Sequence, residues 1–175
     1  MSRSNIEIKA RVADATALRA RAMELATEAV GVDRQVDTYF VTSRGRLKLR
    51  ESSLSGAHLI PYLRPDGTAP RRSDYALVPI EDPGSVKALL TELLGVHRVV
   101  RKEREIFRVG NVRIHLDRVE TLGNFLELEA VFDGDAAVEE GEHRKVRELM
   151  AALGVQPTDL IATSYEALVG EALEG

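Results

Sequence analysis

Asn5-Ile6-Glu7-Ile8-Lys9-Ala10-Arg11-Val12 alternates polar or charged residues with apolar ones. A period of two sends successive side chains to opposite faces of a strand, so this stretch reads as a strand with one charged and one apolar face. Three more stretches repeat it: Arg46-Leu47-Lys48-Leu49-Arg50, Arg113-Ile114-His115-Leu116-Asp117 and Phe125-Leu126-Glu127-Leu128-Glu129-Ala130. Charge on one face of several strands either wets that face or lines a polar cavity, and the choice between the two decides the function.

At 175 residues the chain is expected to form one domain, 1–175, with a core of its own. Aromatic residues are 5% and Trp is absent, which argues against stacking platforms for single-stranded nucleic acid. The absence of Cys excludes disulfides, thiolate metal sites and cysteine nucleophiles. No apolar run reaches the ~18 residues of a membrane span, and the N-terminus opens on a strand pattern without a signal-peptide core. The expectation is therefore a cytoplasmic protein with no membrane or DNA partner. Residues 1–116 carry 20 Lys and Arg against 14 Asp and Glu, and residues 117–175 carry 4 against 14. Such asymmetry fits either ordinary surface charge or an anion site assembled beside a cation site.

Asp14 is placed to cap a helix running to about Glu28 and stopped by Gly31. Strands are expected over Val36–Phe40, Arg46–Glu51 and Ala57–Arg64, where Pro61 argues for irregular pairing. Residues 65–72 read as loop and Ser73–Ile80 as a strand. Pro83 opens a helix with a buried stripe of Val86, Leu89, Leu90 and Leu93, ended by Gly95. Val99–Val109, Asn111–Val119 and Gly123–Phe132 read as three further strands. Helices over about Glu140–Leu153 and from Pro157 to about Leu173 close the chain.

The face opposite the charges holds Ile6, Ile8, Leu47, Leu49, Ile114, Leu116, Leu126 and Leu128. Four amphipathic helices need an apolar surface to cover, so this face is expected outward beneath them, leaving the charged rows inside. Buried charges are tolerated only when paired or wet, and cations and anions are both present. The expected fold class is α+β, an eight-stranded mostly antiparallel closed tunnel-like β-barrel with a polar interior and about four flanking helices. The competing reading is an open sheet whose charged rows face bulk water.

Ile6-Glu7-Ile8-Lys9-Ala10-Arg11 resembles the N-terminal Glu-x-Glu-x-Lys signature of the CYTH domain, the fold of triphosphate tunnel metalloenzymes. Further matches follow in order: Asp37-Thr38-Tyr39-Phe40, Leu47-Lys48-Leu49-Arg50, Tyr62-Leu63-Arg64-Pro65-Asp66, Ser73-Asp74-Tyr75 and Val100-Arg101-Lys102-Glu103-Arg104. They end with His115-Leu116-Asp117-Arg118-Val119-Glu120-Thr121-Leu122-Gly123-Asn124-Phe125-Leu126-Glu127-Leu128-Glu129 and Ser164-Tyr165. The set is most similar to bacterial proteins of the class IV adenylyl cyclase-like branch.

The resemblance implies an enzyme acting on a triphosphate-containing small molecule with Mg²⁺ or Mn²⁺, either as an adenylyl cyclase or as a triphosphatase. It is also compatible with a homodimer. It implies that Lys9, Arg11, Lys48, Arg50, Arg64, Lys102, Arg104, Arg113 and His115 contact substrate, since Lys and Arg neutralise phosphate. Glu7, Asp117, Glu127 and Glu129 would hold metal, because hard divalent ions take carboxylate oxygen. These four and Lys9 form the expected catalytic set. A lone strand histidine is more often structural, so His115 keeps both readings. Tyr39, Tyr62 and Tyr75 are expected to pack, and Asp37 to partner a nearby arginine. Asn5 departs from the pattern, standing where the family usually has its first Glu. It keeps an oxygen and loses a charge, which leaves a non-catalytic polyphosphate- or nucleotide-binding module as the alternative.

Overall fold

A computed structural model describes residues 4–62, 71–72, 76–132 and 136–174. The elements in chain order are β1 (Ser4–Arg11), α1 (Ala15–Leu25), β2 (Glu28–Phe40), β3 (Arg46–Ser52), β4 (Gly56–Tyr62), β5 (Arg71–Arg72) and β6 (Val78–Ile80). They continue with α2 (Pro83–Leu94), β7 (Val96–Val109), β8 (Val112–Val119), β9 (Gly123–Phe132), α3 (Ala136–Ala152), a 3₁₀ turn (Pro157–Asp159) and α4 (Tyr165–Glu174). One sheet carries eight strands of three or more residues and the two-residue β5, every ladder antiparallel, in the order β5-β1-β9-β8-β7-β2-β3-β4-β6. No described helix is long and apolar enough to cross a membrane.

The expected closure is not made by hydrogen bonds: among the described residues no ladder joins β5 to β6. The charged rows are nevertheless turned away from solvent. Asp33, Asp37, Lys102, Arg104, His115 and Asp117 are all buried.

The outer face is apolar, as the alternation requires. Ile6, Ile8 and Ala10 of β1, Ile114 of β8 and Leu126 and Leu128 of β9 pack with Leu18 and Ala22 of α1. Val146, Leu149 and Leu153 of α3 complete this core. Each fully buried aliphatic side chain contributes about 1.5–3 kcal/mol, so this layer dominates the stability. Asp14 caps α1, its Oδ1 accepting from Ala17 N at 2.9 Å.

Several boundaries differ from the sequence reading, each for a visible reason. α1 stops at Leu25, because β-branched Val30 and Val32 belong to a long β2 paired with β7. Gly31 is therefore no helix cap. It sits at a register shift in β2 with φ +128°, a conformation suited to glycine. Arg71 and Arg72 pair with Glu7 and Ile6 of β1 instead of lying in a loop. Of the strand read over Ser73–Ile80, β6 alone is seen, and residues 73–75 lie outside the described residues.

Pro83 opens α2 and Gly95 ends it as expected, with Asp82 as its cap, but no α2 residue is buried, and Leu89 and Leu93 are 57% and 68% exposed. The final helix divides into the 3₁₀ turn and α4. α4 also breaks the expected layering, because it packs on the charged face of the sheet. Its Tyr165, Leu168 and Val169 meet Tyr39, Val100, Val119 and Phe125. These sheet residues continue the charged rows of β2, β7, β8 and β9 as apolar positions, which gives α4 a surface to cover.

Candidate anion and metal site

The register brings the charged rows together in two groups. On β1, β9, β8 and β7, Lys9 stands opposite Glu127, Glu127 opposite His115, and Asp117 opposite Arg104. Arg104 forms a bidentate pair with Asp117, Nε to Oδ1 and Nη2 to Oδ2, both at 2.6 Å. Arg104 Nη2 also donates to Glu127 Oε2, whose other oxygen lies 3.3 Å from Lys9 Nζ. Lys102 Nζ stands 3.8 Å from Asp117 Oδ2.

The second group spans β2 and β3. Arg50 Nε and Nη2 donate to the two oxygens of Asp37 at 2.7 and 2.6 Å, and Lys48 Nζ donates to Asp37 Oδ2 at 2.8 Å. This fulfils the expectation that Asp37 partners an arginine. Tyr39 is buried in the apolar cluster, as expected, and its hydroxyl lies 3.4 Å from Lys48 Nζ.

Burial and charge compete at every one of these groups. Burial pushes the Asp37 carboxyl up, but Arg50 and then Lys48 hold it well below the usual carboxylate value. Glu127 is likewise raised by burial and carried well below its usual value by Arg104 and Lys9. Burial, then the charge of Arg50, lowers Lys48 to about 8. Burial, then Arg104, lowers Lys102 to about 7. The same two causes lower His115, which is thereby kept neutral near pH 7. His115 Nδ1 is buried without a partner, since Glu127 Oε2 at 3.9 Å is beyond hydrogen-bond reach.

At one end of this face Asn5 Nδ2 donates to Glu129 Oε1 at 2.6 Å, and Arg113 Nη1 approaches Glu129 Oε2 at 3.2 Å. Glu7 stands directly opposite Glu129 across β1 and β9. The donor set suits a hard divalent ion: three carboxylates on neighbouring strands, and Asn5 Oδ1 buried without a hydrogen-bond partner. As they stand, no three Asp, Glu or His groups among the described residues are gathered around one ion-sized point. Asp117, the fourth expected metal ligand, stands further along the face, where both oxygens accept from Arg104 and Oδ2 also accepts from Tyr165 Oη at 2.8 Å.

Arg11 is exposed, its guanidinium 5.3 Å from the Phe125 ring centroid. Arg64 lies outside the described residues. The sequence reading missed two inward residues, Asp33 and Gln35, and gave no role to a third, Tyr165, which it noted only within the Ser164-Tyr165 match. Asp33 accepts from Gln35 Nε2, from the hydroxyls of Ser52 and Ser53 and from Leu54 N, which pins the turn between β3 and β4. For Asp33 and Gln35 the signal was the alternation Asp33-Arg34-Gln35-Val36-Asp37, masked by reading Gly31 as a helix stop and beginning the strand only at Val36.

The sequence matches the CYTH domain over residues 3–165. The chain belongs to the CYTH family. Among CYTH relatives, the adenylate cyclase CyaB of Aeromonas hydrophila is 28% identical, over 98% of this chain and 91% of that protein. The PH1012 protein of Pyrococcus horikoshii has a similar structure, with TM-score 0.81, 25% identity, and coverage of 94% of this chain and 98% of that one. HpAC1 of Hippeastrum, an adenylyl cyclase by name with a dominant triphosphatase activity, aligns at TM-score 0.66 over 97% of this chain and 95% of its own. At 15% identity it speaks to the CYTH fold alone.

Proposed function

We propose that this CYTH protein is a divalent-metal-dependent enzyme acting on a triphosphate, with the whole chain working as one domain. The observation that carries the reading is the gathering of Lys9, Lys48, Arg50, Lys102 and Arg104 on one sheet face, Lys102 and Arg104 buried and the other three half-buried. Each has a carboxylate of the chain as its counter-charge, and a triphosphate offers a comparable row of anionic oxygens within one molecule. Lys48, Arg50, Lys102 and Arg104 would grip the phosphate oxygens, with the planar guanidinium groups fixing orientation. Lys9 and Arg113 would complete the set from β1 and β8.

Glu7, Glu127, Glu129 and the Asn5 amide oxygen are the groups that would hold Mg²⁺ or Mn²⁺. A bound divalent ion supplies charge neutralisation on phosphate oxygens and activation of an attacking oxygen. The protein's own part is alignment: cations on β3 and β7 hold the chain of phosphates, and carboxylates on β1 and β9 stand beside it. Neutral His115 next to Glu127 is positioned to accept a proton or to donate to a phosphate oxygen.

Water attacking the terminal phosphate gives a triphosphatase. A ribose hydroxyl attacking the α-phosphate gives an adenylyl cyclase, the reading favoured by the 28% identical CyaB relative. Asn5 in place of a carboxylate favours a third reading, a polyphosphate-binding module without turnover. Incubation with ATP, thiamine triphosphate and inorganic triphosphate, each with Mg²⁺ or Mn²⁺, separates them by product. Orthophosphate marks hydrolysis, and cyclic AMP with pyrophosphate marks cyclisation. Thermal stabilisation without product marks the binding module. No product and no stabilisation with any of the three would overturn the assignment.

A further inference from the structure

Tyr165 is the first residue of α4 and enters the charged face from the side. The chain reaches it along β1: Leu160 bridges Ala10, Ile161 N donates to Lys9 O at 2.9 Å, and Lys9 Nζ lies 3.5 Å from Thr163 O. Behind it, α4 lies against β7 at Gly170, where a Cβ would come within 2.7–2.8 Å of the Arg98 guanidinium.

Four contacts converge on this one buried side chain. Its hydroxyl donates to Asp117 Oδ2 at 2.8 Å. The Lys9 ammonium stands 4.0 Å from its ring centroid, and the Lys102 ammonium 4.9 Å. Phe125 packs edge-on at 5.1 Å and holds the ring plane. A ring face attracts an ammonium through its quadrupole without neutralising its charge, unlike a carboxylate. The ring thus localises two ammonium groups without adding to the counter-charge that Glu127 and Asp117 already supply. Burial, then the charges of Glu127 and Asp117, raises the Tyr165 phenol well above its usual value, so the hydroxyl keeps the proton it donates.

We propose that Tyr165 is a positioning residue of this site: its ring seats Lys9 and Lys102 and its hydroxyl fixes Asp117, so that the start of α4 sets where two cations meet the phosphate chain. The proposal rests on the anion-binding reading above. It assigns the C-terminal helix a part in substrate geometry.

The test is calorimetric titration of the full chain with inorganic triphosphate, without metal. Tyr165→Leu is expected to weaken binding about tenfold, while Tyr165→Phe, which keeps the ring, stays within about threefold. Leu168→Ala loosens the same helix without touching either lysine and is also expected within about threefold. In a Lys102→Met background, Tyr165→Leu should lose a large part of its effect, because two residues acting through one another are not additive.

Independently of how any variant folds, ¹³C-lysine spectra of the unmodified protein should show two ε-methylene signals moved upfield by the ring. One should vanish in Lys9→Met and the other in Lys102→Met. Full additivity in the cycle, an equal loss in Leu168→Ala, or unshifted lysine signals would overturn the proposal alone. Failure of the unmodified protein to bind triphosphate would overturn the anion-site reading and the proposal together.

Discussion

Arg104 and Asp117 face each other across β7 and β8 as a two-bond pair at 2.6 Å, with no side-chain exposure at the carboxylate. Tyr165 caps the same carboxylate from α4. The geometry engages both Asp117 oxygens and makes it the anchor of the cation row. Burial raises its carboxyl pKa and Arg104, then Lys102, bring it below the usual value, so it is charged throughout the neutral range.

Asp117→Asn should therefore act on stability first. It leaves Arg104 with Glu127 and takes from Lys102 the carboxylate 3.8 Å away, and breaking a buried pair from one side costs about 3–5 kcal/mol. Thermal or urea unfolding of the unliganded protein reads this directly. A variant as stable as the parent, with only metal affinity lost, would return Asp117 to the metal site.

Glu127→Gln and Glu129→Gln are expected to leave the outer core intact, because neither side chain enters it. Mn²⁺ binding followed by electron paramagnetic resonance in the presence of triphosphate should fall at least about tenfold in both, since each loses a charged oxygen ligand. Metal-dependent turnover should fall with it. Unchanged Mn²⁺ spectra in both variants would contradict the assignment.

Arg50→Ala removes a two-bond donor on the phosphate row and leaves Asp37 to Lys48 alone. Triphosphate affinity should drop by about 10–100-fold, consistent with losing a charge-assisted pair worth about 1.5–3 kcal/mol. Arg50→Lys should recover only part of it, because an ammonium cannot make the planar two-bond contact. Titration calorimetry distinguishes the three proteins.

Lys102 at about 7 and Lys48 at about 8 make anion binding depend on pH. Their charged forms attract phosphate, so affinity should decline as pH rises from about 6.5 to 9, and binding at about pH 7.5 should draw protons from solvent. Calorimetry in two buffers of different ionisation heat measures that uptake. For folding the sign is reversed: the unfolded chain keeps these protons up to about 10.5, so unliganded stability should rise with pH above about 7. A flat affinity profile over that window would remove both lysines from the site.

Asn5→Asp sets a second carboxylate against Glu129, where an amide now donates at 2.6 Å. Unliganded stability should fall by about 1–3 kcal/mol, and Mn²⁺ should restore more of the melting temperature than it gives the parent. Equal metal-induced shifts in both proteins would show that position 5 does not reach the ion.

Alternation made the sheet legible. Ile6, Ile8, Ile114, Leu126 and Leu128 fall on the packed face, and Lys9, Glu127, His115 and Asp117 on the other, because the side-chain period of a strand is a rigid consequence of its backbone. What could not be read is where the rule is interrupted. Gly31 looks like a helix stop in sequence but relieves a register shift in β2, and a positive φ serves both uses. Val100, Val119 and Phe125 look like ordinary strand apolar residues, and their phase relative to the charged rows shows only once β7, β8 and β9 are in register. The stripe on α2 has the right spacing for burial, and among the described residues no element buries it. Pairing between distant charges, such as Arg104 with Asp117 or Asn5 with Glu129, depends on ladders that no local pattern specifies.

Because Lys9, Lys48, Arg50, Lys102, Arg104 and Arg113 each already have a carboxylate within 4 Å, this cavity resembles an ion exchanger more than an electropositive basin. A polyanion entering it swaps one set of counter-charges for another, so long-range attraction is small and the arrival rate should respond weakly to ionic strength. Each swap also sets a carboxylate loose beside the newcomer, which gives this site a built-in reason to take up anion and cation as a pair.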